Sequence, residues 1–189
     1  MNVTRPRVVF ATRNPGKLVE LKELLAELAL DLVGLGEVGA VDVPEVDEDQ
    51  DSFWGNAAKK ARTVARALGL PALADDSGLE VDALGGEPGV VSARYAGAGA
   101  SDRANNAKLL QRLEGVPTAR RTARFRCAIV LADPAGALGD RVLGATGTCE
   151  GRIGAAPVGA SGFGYDPVFY CPELGLTFAQ AGVGQKSGV

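Results

Sequence analysis

The first thirty residues constrain the fold most, because a strand, a polar loop and a helix follow one another directly. Residues 7–11 are a short β-branched and aromatic run, which predicts a buried strand. In the polar loop that follows, Asn14 is the predicted N-cap and Pro15 suits the first helical position. Leucines then recur at helical spacing from Leu18 to Leu28. The chain is therefore predicted to begin with a βα unit.

The loop of this βα unit is typical of an anion-binding site. A helix N-terminus presents free backbone N–H groups and the positive end of the helix dipole. Lys17 adds a charge in the first turn, where a cation is unfavourable unless an anion is present. The loop therefore favours phosphate. A simple capped βα turn is the alternative, and the glycine spacing of a Walker A motif is absent.

Two adjacent carboxylates, Asp75 and Asp76, form the second constraining feature. They follow a short apolar run and precede Ser77 and Gly78, a pattern that on its own predicts a hairpin turn before an extended run at 79–81. Neighbouring carboxylates repel each other unless a cation or a shared proton relieves them. The functional interpretation is therefore a reaction centre at a metal ion. An acidic segment at 45–51 is either a solvated loop or the source of a further metal ligand.

Further helices and strands are predicted along the chain. A helix capped by Ser52 or Asp51 carries an apolar stripe, and its Asn56 and Lys60 lie on a different face, directed either into a site or to solvent. The other predicted elements are a short strand within 31–43, a helix or turn at 90–95, a helix at 102–113, a strand at 120–132 and a strand at 141–149 that residues 152–153 extend.

A glycine-rich loop at 154–164 leads into an aromatic segment. Phe163 and Tyr165 are placed to sandwich a planar ring, and Asp166 to accept hydrogen bonds from it. An aromatic turn packed in the core is the alternative.

Composition excludes several classes of protein. With 189 residues, the chain suits one domain or two small lobes that share a core. A net charge of −3 gives no footprint for nucleic acid or an anionic membrane. The three cysteines form no Cys-x-x-Cys pair and are predicted to be small buried residues. Residues 1–7 lack a signal-peptide core, so a cytoplasmic location is expected.

The sequence contains no histidine, which excludes an imidazole base and an imidazole metal ligand within it. Oxygen ligands favour Mg²⁺ or Mn²⁺. A phosphate-type loop, carboxylates for a hard cation and an aromatic loop for a base together indicate metal-dependent hydrolysis of a nucleoside phosphate. Which bond is cleaved and which base is bound stay open at this point.

Six groups of motifs follow one another along the chain: Ala11-Thr12-Arg13-Asn14-Pro15-Gly16-Lys17, Ser52-Phe53 with Asn56-Ala57 and Lys60-Ala61, Ala74-Asp75-Asp76-Ser77-Gly78-Leu79 with Val81-Asp82 and Leu84-Gly85-Gly86, Pro88-Gly89, Ser92-Ala93-Arg94-Tyr95 and Gly162-Phe163-Gly164-Tyr165-Asp166-Pro167. In identity and order they resemble the motifs of the inosine triphosphate pyrophosphatase family, the Ham1-like non-canonical purine nucleotide pyrophosphatases. The ordered set spans nearly the whole chain.

The resemblance implies a single domain over residues 1–189 with an α/β fold of two lobes. A long, twisted mixed β-sheet would be flanked by helices, with the active-site cleft between the lobes. The resemblance also implies a homodimer. Its activity would be Mg²⁺-dependent hydrolysis of ITP, dITP and XTP to the monophosphate and pyrophosphate, with Mn²⁺ as an alternative metal, which removes deaminated purines from the nucleotide pool.

The resemblance also implies residue roles. Asp76 would be both the catalytic carboxylate that activates water and a metal ligand, with Glu48 as the other metal ligand. The residues implied to bind the rest of the substrate are Thr12, Arg13, Asn14, Pro15, Gly16, Lys17, Lys60 and Ser77 toward the phosphates, and Phe163, Gly164, Tyr165, Asp166 and Lys186 around the base.

Two departures from the family pattern bear on selectivity. Gln180 stands where the family has Glu, and Val189 stands where a Ser-His-Arg segment begins that helps to read the 6-keto group. A site built to hydrogen-bond that oxygen rejects the amino analogue strongly. The expectation is therefore a truncated C-terminal segment with weaker selectivity against adenine. A nucleotide-binding protein with reduced or lost catalysis is the alternative function. A phosphatase or a nucleotide kinase is disfavoured because their motifs are absent.

Overall fold

A computed structural model describes residues 5–39 and 43–186 of the chain. The strands are β1 (Arg7–Phe10), β2 (Asp31–Gly34), β3 (Ala72–Val81), β4 (Thr122–Ala132), β5 (Val142–Ile153), β6 (Phe169–Cys171) and β7 (Leu176–Thr177). The α-helices are α1 (Pro15–Leu24), α2 (Phe53–Leu68), α3 (Asp102–Arg112) and α4 (Val183–Lys186). Short 3-10 helices lie at Leu35–Glu37, Asp82–Leu84, Gly89–Arg94 and Thr118–Arg120.

The strands form one mixed sheet of seven, in the order β2-β1-β3-β4-β5-β6-β7. Strand β1 runs parallel to both β2 and β3, whereas β6 runs antiparallel to β5 and to β7. An open mixed sheet with helices is the α/β class that the resemblance implied, and this prediction is confirmed.

The chain divides into two compact units. Unit 1 comprises Met1–Asp76 with Ala128–Thr146, and unit 2 comprises Ser77–Cys127 with Gly147–Val189. Strands β3, β4 and β5 each contribute residues to both units. The single domain and the cleft that the resemblance implied stay predictions.

Helix α1 begins where the sequence predicts but buries less than its leucines suggest. Asn14 is the N-cap, and its side chain accepts hydrogen bonds from the N–H groups of Gly16 and Lys17. The helix ends at Leu24, and Leu24 and Leu28 are 57% and 52% exposed. The leucine spacing therefore identifies a helix correctly but not its buried face.

Helix α2 follows its sequence pattern closely. Ser52 caps the helix by accepting a hydrogen bond from Gly55 N–H at 3.0 Å. Gly69 ends it in the left-handed conformation, with φ of 63°, which glycine adopts without a steric cost. The apolar stripe from Phe53 to Val64 is buried. Many of the buried residues of α2 and of the rest of unit 1 are alanines.

The predicted hairpin turn at Ser77-Gly78 is wrong. Strand β3 is continuous from Ala72 to Val81 and passes through both residues. It lies between β1 and β4 in the sheet order. Incorporation into the sheet outweighs the local turn preference of serine and glycine, because strand preference depends strongly on tertiary context.

Unit 2 has a larger aliphatic and aromatic core. The buried residues that form it are Leu79, Val81, Tyr95, Leu109, Leu113, Ala123, Ile153, Tyr165, Val168, Phe169 and Cys171. The prediction of buried cysteines holds for Cys171 but is wrong for Cys127, which is exposed, whereas Cys149 is half-buried. Within the described ranges, no helix combines the length and the apolar character that crossing a membrane requires.

Candidate active site

The parallel pairing of β1 with β3 brings the polar loop and the two carboxylates together. Phe10 is paired with Leu73, and Ala11 N–H donates to the Leu73 carbonyl at 2.7 Å. Strand β1 ends at Phe10, but β3 continues, so Asp75 lies alongside the loop that begins at Thr12. Sites on open α/β sheets commonly form at the carboxyl ends of parallel strands. Unit 1 therefore carries a candidate site at this edge.

Asp75 and Asp76 do not face each other, because consecutive side chains of a strand point to opposite faces. Asp75 Oδ2 accepts a hydrogen bond from Lys17 Nζ of α1 at 2.5 Å. Asp76 Oδ2 accepts one from Asn56 Nδ2 of α2 at 2.9 Å. The expected repulsion between the paired carboxylates is thus avoided by the strand geometry. Asp75 also supplies the anion that a lysine in the first turn of α1 requires.

Burial perturbs the ionisation of Asp76. Its side chain is buried, with 6% of the residue exposed. Burial, with a smaller contribution from the negative charge of Glu48, raises the pKa of Asp76 from 3.8 to about 6, although Asn56, Lys60 and Lys17 act in the opposite direction. A carboxylate with a pKa near neutrality is a better proton acceptor than an ordinary aspartate.

Helix α2 contributes two polar side chains to the same region. Lys60 Nζ donates to Glu48 Oε1 at 2.8 Å and to the Asp75 carbonyl at 3.1 Å. Asn56 accepts from Gln50 N–H at 2.9 Å while it donates to Asp76. Asn56 and Lys60 thus lie on a different face from the apolar stripe and are directed towards Asp76 and Asp75 rather than to solvent. Asn56 also links the acidic segment to Asp76.

The polar loop is held by its own side chains. Thr12 Oγ1 accepts from Asn14 N–H at 3.1 Å, and Asn14 Oδ1 accepts from Gly16 N–H at 2.9 Å and from Lys17 N–H at 3.4 Å. The prediction that this loop presents free backbone N–H groups is therefore wrong for these three amides, since the N-cap geometry uses them. The Lys17 side chain is the donor that extends towards the carboxylates.

The remaining loop residues occupy less central positions. Pro15 is the first residue of α1. Arg13 is exposed and forms an ion pair with exposed Glu45 at 3.1 Å. Ser77 is half-buried on β3, directly after Asp76, at the start of unit 2.

The donors suit a hard cation that is held partly by its substrate. Glu48 is close enough to Asp76 for its negative charge to raise the pKa of Asp76. Within residues 5–39 and 43–186, no group of three or more acidic, cysteine or histidine side chains is arranged to hold a metal. Mg²⁺ needs no such cage, because it is typically bound by one or two carboxylates together with water and phosphate oxygens. Two carboxylates beside two lysines fit that pattern.

Unit 2 carries the aromatic loop, defined here as residues 162–166. Phe163 is 37% exposed, whereas Tyr165 is 4% exposed and belongs to the core. The Tyr165 hydroxyl donates to the Ser92 carbonyl at 2.8 Å. Tyr165 thus matches the alternative of an aromatic turn packed in the core. Phe163 presents the more accessible ring for stacking.

Asp166 and Lys186 form a close pair beside this loop. Lys186 Nζ donates to Asp166 Oδ2 at 2.6 Å, and the same oxygen accepts from Phe163 N–H at 3.1 Å. The Lys186 ammonium lies 6.0 Å from the centre of the Phe163 ring. A Cβ added to Gly162, whose φ is 81°, would overlap Asp166 Oδ2. The loop is therefore closely fitted around the Asp166 carboxylate.

Sequence reasoning missed two residues beside the aromatic loop. Asp102 and Asn106 of α3 bind the backbone of Gly164 at 2.6 and 2.9 Å. Their spacing of four residues, like that of Asn56 and Lys60, is the signal that could have identified them.

The structure describes Gln180, one of the two departures from the family pattern. Gln180 Oε1 accepts from Thr177 N–H at 3.1 Å, which a glutamate oxygen would do equally well. The other departure concerns residues 187–189, which lie outside the described part of the chain.

Comparison with protein families gives a match over almost the full length. Residues 8–189 match the model of the Ham1 family. A protein of Desulforamulus reducens named dITP/XTP pyrophosphatase is 51% identical over 183 residues, which are 97% of this chain and 88% of that protein. A dITP/XTP pyrophosphatase of Thermus thermophilus is 51% identical over 181 residues, which are 96% of this chain and 84% of that protein.

Solved structures show the same likeness. A HAM1 protein from Coxiella burnetii superimposes with a TM-score of 0.84 at 40% identity, covering 97% of this chain and 91% of that one. The Ham1 protein of Staphylococcus aureus gives a TM-score of 0.81 at 39% identity, with 97% and 90% covered. Each of these two structural matches covers residues of both unit 1 and unit 2.

Proposed function

Because this chain belongs to the Ham1 family, we propose that it is a Mg²⁺-dependent nucleoside-triphosphate pyrophosphatase. Its proposed substrates are the deaminated purine nucleotides ITP, dITP and XTP, which it hydrolyses to the monophosphate and pyrophosphate. The names of its relatives support this substrate class. The proposed role is removal of deaminated purines from the nucleotide pool.

The arrangement around Asp76 is the observation that carries this proposal. A buried carboxylate with a raised pKa lies near a second carboxylate, Glu48, and near Lys17 and Lys60. Such a set combines a proton acceptor with cations for phosphate oxygens, as phosphoryl-transfer sites require.

Asp76 is proposed to act on the attacking water. The carboxylate accepts a proton from the water as its oxygen attacks phosphorus, and the α–β phosphoanhydride bond breaks to release pyrophosphate. Asn56 holds the carboxylate through its hydrogen bond of 2.9 Å and so fixes the direction of the accepting oxygen. A pKa of about 6 leaves Asp76 ionised at neutral pH yet more basic than a solvated aspartate.

Lys17 and Lys60 are proposed to bind the phosphates, together with Thr12, Asn14 and Ser77. Both ammonium groups are held by carboxylates at distances of 2.5 and 2.8 Å, which fixes their positions near Asp76. Glu48 and Asp76 would hold Mg²⁺. When bound, the metal neutralises phosphate charge and stabilises the charge that develops on the leaving pyrophosphate.

The aromatic loop of unit 2 is proposed to bind the base. The exposed Phe163 ring offers a stacking surface. Asp166 and Lys186 form an ion pair beside the ring. They are proposed to offer an acceptor and a donor to the polar edge of a purine.

The defining experiment follows the products and the oxygen of water. The protein is incubated with ITP, XTP, dITP, GTP or ATP and Mg²⁺ in ¹⁸O-labelled water. We expect IMP and pyrophosphate from ITP, with the label in IMP because the α-phosphorus is attacked. Label in pyrophosphate would move the attack to the β-phosphorus, and orthophosphate with IDP would contradict the proposal.

Two controls separate catalysis from binding. Chelation of divalent cations is expected to abolish turnover, and Mg²⁺ or Mn²⁺ to restore it. Binding of ITP without turnover in the wild-type protein would favour the alternative of a nucleotide-binding protein without catalysis. Lys17→Met is expected to lower kcat/KM for ITP, whereas the matched control Lys22→Met is not, because Lys22 is on the same helix but pairs with Glu37 at the surface.

A homodimer is proposed as the functional assembly. Two large apolar side chains of unit 1, Trp54 and Leu143, are 38% and 58% exposed, and the partner is proposed to cover them. Light scattering after gel filtration is expected to give twice the mass of the chain. A monomer at micromolar concentration would contradict this assembly.

The cytoplasmic location stays a prediction, for which cell fractionation is the test.

A further inference from the structure

Helix α3 holds the aromatic loop through the backbone N–H and the backbone carbonyl of Gly164. Asp102 Oδ2 accepts a hydrogen bond from Gly164 N–H at 2.6 Å, and Asn106 Nδ2 donates one to the Gly164 carbonyl at 2.9 Å. Asp102 and Asn106 are four residues apart and so lie on one face of α3. Two hydrogen bonds of opposite sense determine both the position and the orientation of the Gly164 backbone.

The residue held in this way lies at the turning point of the loop. Gly164 has a φ of 59°, in the left-handed region that glycine adopts readily. It separates Phe163, which is exposed, from Tyr165, which is buried and bonded to the Ser92 carbonyl. The Gly164 backbone therefore sets the direction in which the Phe163 ring leaves the protein surface.

Asn106 is a poor choice for stability alone. It is 6% exposed, and among the described residues nothing hydrogen-bonds its Oδ1. A buried amide that is only half satisfied is unfavourable compared with an apolar side chain of similar size. The contribution of Asn106 is therefore better explained by its hold on Gly164 than by the stability of the fold.

The neighbouring Asn105 shows the contrast. It is also buried in α3, but both of its polar groups are bonded: Ala96 N–H donates to its Oδ1 at 2.8 Å, and its Nδ2 donates to the Ala93 carbonyl at 3.1 Å. Asn105 thus fastens α3 to the Gly89–Arg94 segment and its continuation, whereas Asn106 is directed to the aromatic loop.

We propose that Asp102 and Asn106 are positioning residues that hold the aromatic loop in the conformation that selects the purine base. This inference rests on the proposed function and deepens it, since it names residues of α3 that determine specificity without touching the base. They act on the Phe163 ring through Gly164. The proton-accepting carboxylate Asp76 and every proposed phosphate-binding residue except Ser77 belong to unit 1, so the chemical step depends far less on Asp102 and Asn106.

The test compares three variants with the wild type. Asn106→Leu removes the donor and keeps the size, Asp102→Asn keeps an acceptor oxygen, and Asn105→Leu is the matched control. For Asn106→Leu we expect a KM for ITP raised about tenfold with kcat within about threefold, and a preference for ITP over ATP reduced about tenfold. Asp102→Asn is expected to stay within about threefold of wild type in both quantities.

Hydrogen exchange and urea unfolding provide readouts besides activity. Exchange of the peptide over residues 162–166 is expected to accelerate about tenfold in Asn106→Leu. The urea midpoint of that variant is expected to equal or exceed that of the wild type, whereas Asn105→Leu lowers the midpoint and retains more of the ITP preference.

Each outcome decides. Unchanged exchange at 162–166, an unchanged preference for ITP, or an equal loss of preference in Asn105→Leu overturns the proposal. A wild-type protein that leaves ITP intact refutes the proposed function instead. In that case accelerated exchange would still show that α3 holds the loop, but the role in base selection would be overturned.

Discussion

Replacing Asp76 by asparagine is expected to stabilise the protein at neutral pH while nearly abolishing turnover. The folded protein raises the pKa of Asp76 from 3.8 to about 6, chiefly by burial, so ionisation of this carboxyl is less favourable in the fold than in the unfolded chain. Between pH 3.8 and about pH 6 the folded state binds more protons than the unfolded state. Stability is therefore lost as pH rises through this window, and the full loss is present above pH 6.

The magnitude follows from the two pKa values. A rise from 3.8 to about 6 corresponds to about 3 kcal/mol of unfolding free energy at pH 8, and to about 1 kcal/mol at pH 4.5. The substituted asparagine side chain would carry no charge at either pH and would still accept the hydrogen bond from Asn56. The free energy of unfolding of Asp76→Asn is thus expected to exceed that of the wild type by up to about 3 kcal/mol at pH 8, and by about 1 kcal/mol at pH 4.5.

Urea unfolding at the two pH values, in buffer that contains a chelator, measures this difference. Asp75→Asn is the matched control, because Asp75 is adjacent in sequence but forms an ion pair with Lys17 at 2.5 Å. Loss of that carboxylate is expected to lower stability at pH 8. If Asp76→Asn is destabilised at pH 8, or its advantage does not change with pH, the assignment of Asp76 as a carboxylate strained by burial is wrong.

Three further substitutions test other parts of the site. Lys60→Met is expected to lower kcat/KM for ITP about 100-fold in steady-state assays, whereas neighbouring Lys59→Met stays within about threefold; equal losses would contradict the phosphate role of Lys60. Phe163→Ala is expected to raise KM for ITP about tenfold with little change in kcat, and an unchanged KM would remove the ring from base binding. Gly162→Ala is expected to cost about 2 kcal/mol in urea unfolding, because its Cβ would meet the Asp166 carboxylate; an unchanged midpoint would refute that fit.

Local signals in the sequence predict the elements on which the site is built. Asn14 and Ser52 cap α1 and α2 as predicted, because capping depends on contacts within a few residues. The placement of Asn56 and Lys60 off the apolar stripe follows from helix periodicity alone. The ordered motifs identify the family, since each one reports a local requirement for particular side chains.

The sequence by itself thus determines where helices α1 and α2 begin, and which carboxylates and lysines are candidates for chemistry. Only the tertiary structure decides that Ser77-Gly78 continues a strand, because incorporation into the sheet outweighs turn preference. It alone directs Asp75 to Lys17 and Asp76 to Asn56, since strand geometry sends adjacent side chains to opposite faces. The raised pKa of Asp76 has the same origin: burial and the charge of Glu48 come from residues distant in sequence that the fold brings together.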